Sequence, residues 1–257
     1  MTVSYVVSGF AVGLLVGLTG VGGGSLMTPL LTLLFGIHPS VAVGTDLAFA
    51  SATKTAGTFA HRFKGTVRWD IVRRLSYGAL PAAVVTTLLL KHFGAVSNEI
   101  GQVIRYSIAI SVLLTVIALL FKGKLQAWLN AHPDRQLQGR QLANATMLSG
   151  AVLGALVTIS SIGAGAVGAT LLVLLYPRLS PAEIAGTDIA YAVPLTAIAA
   201  FGHWWLGSID WSLLGALLLG SVPGITIGSL AARAVPEKFL RGLLAVTLTS
   251  VALKLVF

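Results

Sequence analysis

The sequence predicts an all-α protein that crosses a membrane several times and consists of two inverted-topology repeats. Three observations predict this fold class: an apolar composition, a succession of long apolar segments, and a similarity between the two halves of the chain. Of the 257 residues, 56% are hydrophobic and 10% are charged. A soluble protein carries about 25% charged residues. The composition therefore indicates a bilayer protein.

Charge and cysteine content exclude several classes of function. The chain has no cysteine, which excludes disulfides and thiolate metal sites. The net charge of +9 is typical of a membrane protein whose cytoplasmic loops are rich in Lys and Arg. We expect no metal site, no cofactor and no nucleic-acid partner. The N-terminal "MTVSYVVSGFAVGLLVGL" lacks a basic start and a cleavage site, so we expect it to stay as a span.

The apolar segments follow one another in two sets of five. The first set lies at about 3–19, 25–37, 40–60, 69–91 and 100–121, and the second at about 143–159, 166–177, 182–202, 211–232 and 239–257. Most have the roughly 17–25 residues that a helix needs to cross a bilayer. The second segment of each set is shorter. Strand-like alternation is missing from the segments, so each is predicted to be a helix.

The two halves of the chain are similar at constant spacing. "PSVAVGTDLAFA" (39–50) matches "PAEIAGTDIAYA" (181–192) at an offset of 142, and "GVGGG" (20–24) meets "SIGAG" (161–165) at 141. Matched pairs include Trp69 with Trp211 and Pro81 with Pro223. The halves are therefore predicted to be a duplication, with a first repeat at 1–121, a cytoplasmic linker at 122–142 and a second repeat at 143–257.

Basic residues indicate that the repeats are inverted. The loop between the third and fourth segments is basic in the first repeat, whereas the matching 203–214 has no Lys or Arg. Because basic loops stay cytoplasmic, the two loops are predicted to lie on opposite sides, with both termini outside. Thirteen of the 17 Lys and Arg then fall on the cytoplasmic side: Arg62, Lys64, Arg68, Arg73, Arg74, Lys122, Lys124, Arg135, Arg140, Arg178, Arg233, Lys238 and Arg241. Whether 3–37 and 143–177 cross twice or form re-entrant hairpins stays open.

Glycine-rich interruptions at equivalent places predict a binding site. Inverted repeats with broken helices are typical of secondary transporters, whose site lies where the repeats meet. The amides at the start of the short helix after each break suit an oxyanion. Alternatively, the glycines only allow close helix packing. The predicted substrate-binding residues of the breaks are Gly20, Gly22, Gly23, Gly24, Ser25, Ser160, Ser161, Gly163 and Gly165.

Three ionisable residues lie inside predicted spans: Asp46, Lys54 and Asp188. Each costs roughly 2.5–3.5 kcal/mol at a helix centre on insertion scales, so each needs a partner or a task. Lys54 has no equivalent, since Thr196 stands at the matching position. It is predicted to contact an anionic substrate or, alternatively, to pair with an aspartate. Candidates for the coupling ion are the two Thr-Asp pairs, Thr45, Asp46, Thr187 and Asp188.

The segments "GLLVGLTGVGGGSLMTPLLTLLFGIHPSVAVGTDLA", "SSIGAGAVGATLL" and "AGTDIAYAVPLTAIAAFGHWWLGSIDW" are similar to the two copies of the TauE/SafE sulfite exporter family of prokaryotic permeases. The resemblance covers nearly the whole chain. It implies an inner-membrane transporter of small sulfur-containing anions such as sulfite, sulfoacetate or other sulfonates, often in export. Many relatives carry Ser after the Gly-Thr, where this chain has Asp46 and Asp188.

The leading hypothesis is therefore a secondary transporter of sulfur-containing anions that works by alternating access, coupled to protons, in the lipid bilayer. A passive anion channel and a membrane scaffold are the alternatives without catalysis, and a homodimer is compatible with the sequence. An intramembrane hydrolase with Ser25 or Ser161 as nucleophile and His203 as base is the enzyme alternative. We expect no catalytic residues, because neither copy contains an evident acid–base pair.

Overall fold

The computed structural model describes residues 2–19, 24–63, 65–94, 96–132, 136–231 and 237–256. These residues form helices without a strand among them. The helices are α1 (Thr2–Thr19), α2 (Gly24–Leu34), α3 (Pro39–Phe63), α4 (Trp69–His92), α5 (Asn98–Ala131), α6 (Gly139–Ser160), α7 (Ala166–Leu175), α8 (Pro181–Trp205), α9 (Trp211–Ala231) and α10 (Glu237–Val256).

The ten helices follow the ten predicted segments, and the all-α prediction is confirmed. Four of them are long and apolar enough to cross a bilayer within the described residues: α5, α6, α8 and most of α9. The largest difference concerns α5, which continues to Ala131, ten residues into the predicted linker. Hydropathy falls at Lys122, but Lys, Leu, Gln and Ala all favour helices. The helix therefore ends only before "HP" at 132–133.

Local signals in the sequence explain where several helices begin. Ser180 and Glu183 form a capping box at the start of α8, and Pro181 is the first residue of that helix. The Asp210 carboxylate accepts hydrogen bonds from the backbone N–H groups of Ser212 and Leu213. These bonds hold the pKa of Asp210 below its ordinary value, and the bond from Leu213 contributes most.

Helices α3 and α8 pack together at the centre and run antiparallel. Gly44, near the start of α3, packs against His203 and Ser208 at the end of α8. Gly186, near the start of α8, packs in the same way against Thr66, just beyond the end of α3. The loops 65–68 and 206–210 consequently lie at opposite ends of α3.

Two further helix pairs join the halves of the chain, α1 with α9 and α4 with α6. Gly220 of α9 packs against the backbone of Val6 and Phe10, and Gly78 of α4 packs against the backbone of Met147 and Ala151. A side chain has no room at such contacts, so glycine sets how closely the helices approach. In addition, α5 packs against α10 and α7.

Candidate functional site

The break between α6 and α7 lies inside the protein. Ser160, Ser161 and Ile162 are buried, and the chain reverses through positive φ angles at Ser161 (59°), Gly163 (135°) and Gly165 (142°). Ser161 is the one non-glycine residue with positive φ in the described part of the chain. Glycine adopts such angles at little cost, which explains the glycines of "SIGAG".

The predicted residues of the first break lie mostly outside the described residues. This applies to Gly20, Gly22 and Gly23, and the side chain of Ser25 lies outside the described part as well. Gly24 begins α2, which has 11 residues, and α7 has 10 residues. At 1.5 Å per residue these helices are only about 15–17 Å long. Each of the two glycine-rich sequences is thus followed by a short helix, as the sequence predicts.

Lys54 of α3 reaches the α6–α7 break. Its Nζ donates a hydrogen bond to the backbone oxygen of Ala164 at 2.9 Å, which leaves two ammonium protons for other acceptors. The ammonium also interacts electrostatically with the carboxylates of Asp188 and Asp46. Neither carboxylate forms an ion pair with it within 4.0 Å among the described residues. Lys54 therefore interacts with two carboxylates at longer range and bonds directly to a carbonyl.

The carboxylate of Asp46, a residue of α3, contacts both α2 and the α6–α7 break. Thr28 of α2 donates its hydroxyl to Asp46 Oδ2 at 2.6 Å, and the Ser161 hydroxyl lies close to the same carboxylate. Both side chains are buried. Asp46 Oδ1 and Ser161 Oγ have no hydrogen-bond partner in the described structure.

The carboxylate of Asp188, a residue of α8, contacts α7 in the equivalent way. Asp188 Oδ1 packs against Gly168, and the carboxylate lies beside the backbone N–H of Gly165, at the start of α7. Lys122 of α5 also interacts electrostatically with this carboxylate, more weakly than Lys54 does. Asp188 is buried, and its Oδ1 has no hydrogen-bond partner within the described ranges. Each aspartate thus faces the beginning of the short helix in its own half.

Tyr191 belongs to the same region and was missed by the sequence analysis. Its side chain is fully buried, its hydroxyl has no partner among the described residues, and it lies within electrostatic range of Asp188. The one available signal was the difference between "GTDIAYA" and "GTDLAFA", where Phe49 stands in the first copy. We call this set the central polar cluster: Thr28, Asp46, Lys54, Ser161, Asp188 and Tyr191.

Other predicted residues have hydrogen bonds elsewhere. Thr45 accepts a hydrogen bond from the backbone N–H of Asp210 at 3.1 Å, and Thr187 accepts one from that of Arg68 at 3.1 Å. Each threonine thereby holds a loop of the opposite half. The Ser160 hydroxyl bonds to Ser111 of α5 at 3.0 Å and to its own helix.

His203 is buried and is held at both ring nitrogens. Nδ1 lies 2.9 Å from Ser208 Oγ, and Nε2 lies 3.0 Å from the backbone oxygen of Thr158. Because a carbonyl accepts, Nε2 carries the proton. Ser161 has no hydrogen bond to this ring, so the described residues hold no Ser161–His203 dyad.

A cavity of about 450 Å³ opens beside the 65–71 region. Arg68, Arg178 and Glu183 are among its lining residues, and no member of the central polar cluster lines it. Arg68 lies 3.6 Å from both Asp70 and Glu183. The last of these contacts joins the α3–α4 loop to the start of α8.

Comparison with known proteins identifies the family. The model of the family described as sulfite exporter TauE/SafE matches residues 5–255. A probable membrane transporter protein, YjnA of Bacillus subtilis, is 39% identical over 231 residues, covering 89% of each chain. Probable membrane transporter proteins of Xylella fastidiosa (29%, 88% of this chain and 82% of the relative) and of Bacillus subtilis (YdhB, 25%, 96% and 97%) are also similar. No solved structure matches the chain. The match over nearly the whole length shows that this membrane protein belongs to the TauE/SafE sulfite exporter family.

Proposed function

We propose that this protein is a secondary transporter that exports small sulfur-containing anions, such as sulfite, sulfoacetate or other sulfonates, across the cell inner membrane. The observation that carries the proposal is the half-buried ammonium of Lys54, which donates to Ala164 and keeps two protons for other acceptors. Buried polar groups are normally hydrogen-bonded. An anion that bound here would use these protons and the hydroxyl of Ser161, which has no partner in the described structure.

Alternating access follows from the proposed inverted repeats. Equivalent helices α3 and α8 pack antiparallel, and α1 and α6 each pack against the fourth helix of the other half. This exchange is what a two-fold axis in the membrane plane would produce, and it supports the inverted arrangement. The central polar cluster lies where the halves meet. Rocking of the halves would expose it first to one side and then to the other.

The carboxylates supply a reason for proton coupling. Asp46 and Asp188 bring two negative charges close to Lys54, and each monoanion that enters adds another. Charge inside the bilayer is costly, and a proton on one carboxylate offsets the charge of the anion. Asp46 and Asp188 are accordingly the proposed coupling groups, whereas Thr45 and Thr187 position the loops through their hydrogen bonds.

Counterflow in proteoliposomes tests the proposed function. Vesicles loaded with unlabelled sulfite, sulfoacetate, isethionate or acetate are diluted into the matching radiolabelled anion, with and without a pH gradient. We expect transient accumulation of at least one sulfur oxyanion above equilibrium, enhanced by the gradient. Flux that never exceeds equilibrium and ignores the gradient would favour a passive anion channel. Absence of flux for the three sulfur-containing anions, with or without flux of acetate, would contradict the proposed substrate class.

The inverted orientation of the two repeats in the membrane is tested with single cysteines at equivalent loop positions. The chain has no cysteine, and nothing lies within 4 Å of a Cβ built at Gly65 or Gly207. Their φ angles of 66° and 70° cost a Cys roughly 1–2 kcal/mol. We expect a membrane-impermeant thiol reagent applied to intact cells to label Gly207→Cys and to miss Gly65→Cys until the cells are opened. Equal labelling of both from outside would contradict the inverted arrangement.

A further inference from the structure

We infer that Tyr191 donates its hydroxyl to the transported anion and helps to select oxyanions. This inference rests on the proposed function, because it assigns a new ligand-binding residue to the same site. The hydroxyl is fully buried and has no hydrogen-bond partner in the described part of the chain. Burying such a group without a partner is costly, and a phenol can give its proton to an oxygen of an anion.

The antiparallel packing of α3 and α8 places Tyr191 in the turn of α8 next to the stretch that faces Lys54. Gly44 of α3 contacts His203 of α8. Lys54 lies ten residues after Gly44, and the residue ten before His203 is Val193. The contact of Gly186 with Thr66 gives Ile198 by the same count, so Lys54 faces residues 193–198, which directly follow the turn of α8 that contains Tyr191. Both side chains lie within electrostatic range of Asp188, so the ammonium and the hydroxyl belong to one neighbourhood.

The two halves differ in polarity at both of these positions. When the two repeats are aligned, Thr196 corresponds to Lys54, and Phe49 corresponds to Tyr191. Thr196 bonds to the backbone of its own helix, and Phe49 is apolar. The donors that break the symmetry are therefore an ammonium on α3 and a phenol on α8, both of which interact with Asp188. Sulfite and sulfonates present oxygens that only accept hydrogen bonds, so these donors fit that class.

Tyr191 interacts electrostatically with Asp188, which in turn interacts with charged groups of other helices. Asp188 lies one turn before it on α8, Lys54 and Asp46 lie on α3, and Lys122 interacts with Asp188 from α5. An ionised Asp188 attracts the phenolic proton and competes for it with the anion. The anion gains the hydroxyl when Asp188 is neutralised by a proton or by Lys54.

Tyr191→Phe tests this role, with Tyr176→Phe as the matched control. The hydroxyl of Tyr176 bonds to Thr146 at 2.8 Å, so its loss should lower the melting temperature and leave the anion affinity unchanged. Tyr191→Phe should do the opposite: it removes a hydroxyl without a partner, so the melting temperature should stay or rise. The affinity should fall about tenfold or more, since a hydrogen bond to a charged group is lost.

Purified variants in detergent are titrated with sulfite, sulfoacetate and isethionate, and binding is followed by calorimetry. If wild-type protein binds a sulfur oxyanion and Tyr191→Phe binds it equally well, this inference is wrong while the proposed function stands. If wild-type protein binds none of the three, the proposed function itself fails. A lower affinity accompanied by a lower melting temperature would assign Tyr191 to packing and also overturn the inference.

Discussion

Lys54→Met is expected to remove high-affinity anion binding from a protein that still inserts and folds. Methionine keeps the length and the apolar stem of lysine but removes the ammonium of the central polar cluster. Removing one member of a buried, hydrogen-bonded charge pair costs about 2–5 kcal/mol of binding free energy. The measurements are anion affinity by calorimetry and thermal unfolding in detergent.

Two further variants make this result specific. Lys91→Met removes a cation that lies 3.5 Å from the ring centroid of Trp205, away from the cluster, and should leave the affinity unchanged. Lys54→Arg should keep part of the affinity, because the charge remains while the planar guanidinium presents its donors differently. Wild-type affinity in Lys54→Met would remove the lysine from the site and leave the amides of the breaks as the hosts of the anion.

The alternative of a packing ion pair predicts a different outcome for a double variant. If Lys54 served only to neutralise Asp188, Lys54→Met would leave a buried carboxylate without compensation, and Lys54→Met/Asp188→Asn would restore both stability and binding. Lys54 instead bonds to the backbone of Ala164, and no described carboxylate lies within 4.0 Å of it. We therefore expect the double variant to recover stability without recovering affinity.

Much of the fold could be predicted because the bilayer forces a simple relation between hydropathy and helices. A backbone in lipid must satisfy its own hydrogen bonds, so each apolar segment became one of the helices α1–α10. The end of α5 was the main error, since hydropathy marks where a helix leaves the lipid and not where it stops. Ala131 ends that helix because of the residues that follow it.

The candidate site was predicted in part, for reasons that lie in the contacts. Lys54 and Asp188 stood out because charge is rare in a span, and the structure places both at the α6–α7 break. The threonine of each "GTD" was grouped with its aspartate, yet Thr45 bonds to Asp210, 165 residues away. A motif cannot reveal which of its side chains turn inward, and a tyrosine in an apolar segment gives no warning that its hydroxyl lacks a partner among the described residues.

The α1–α9 contact gives the second large effect, because there two backbones touch. Gly220→Leu is expected to lower the melting temperature sharply, or to prevent accumulation of folded protein. A Cβ at Gly220 would collide with the backbone of Val6 and Phe10, so the helices must separate rather than adjust a side chain. Overpacking within a core typically costs about 1–3 kcal/mol, and displaced backbone raises that cost.

Gly215→Leu on the same helix is the matched control, because nothing lies within 4 Å of a Cβ built there. Both changes gain about 1 kcal/mol of helix propensity, so the difference in melting temperature between them isolates the contact. Gly78→Leu should resemble Gly220→Leu, since Gly78 meets the backbone of Met147 and Ala151 in the equivalent α4–α6 pair. Thermal unfolding in detergent compares the three variants. If Gly220→Leu unfolded at the temperature of Gly215→Leu, then α1 and α9 would not pack this closely, and the exchange of helices that supports the inverted repeats would lose one of its two equivalent contacts.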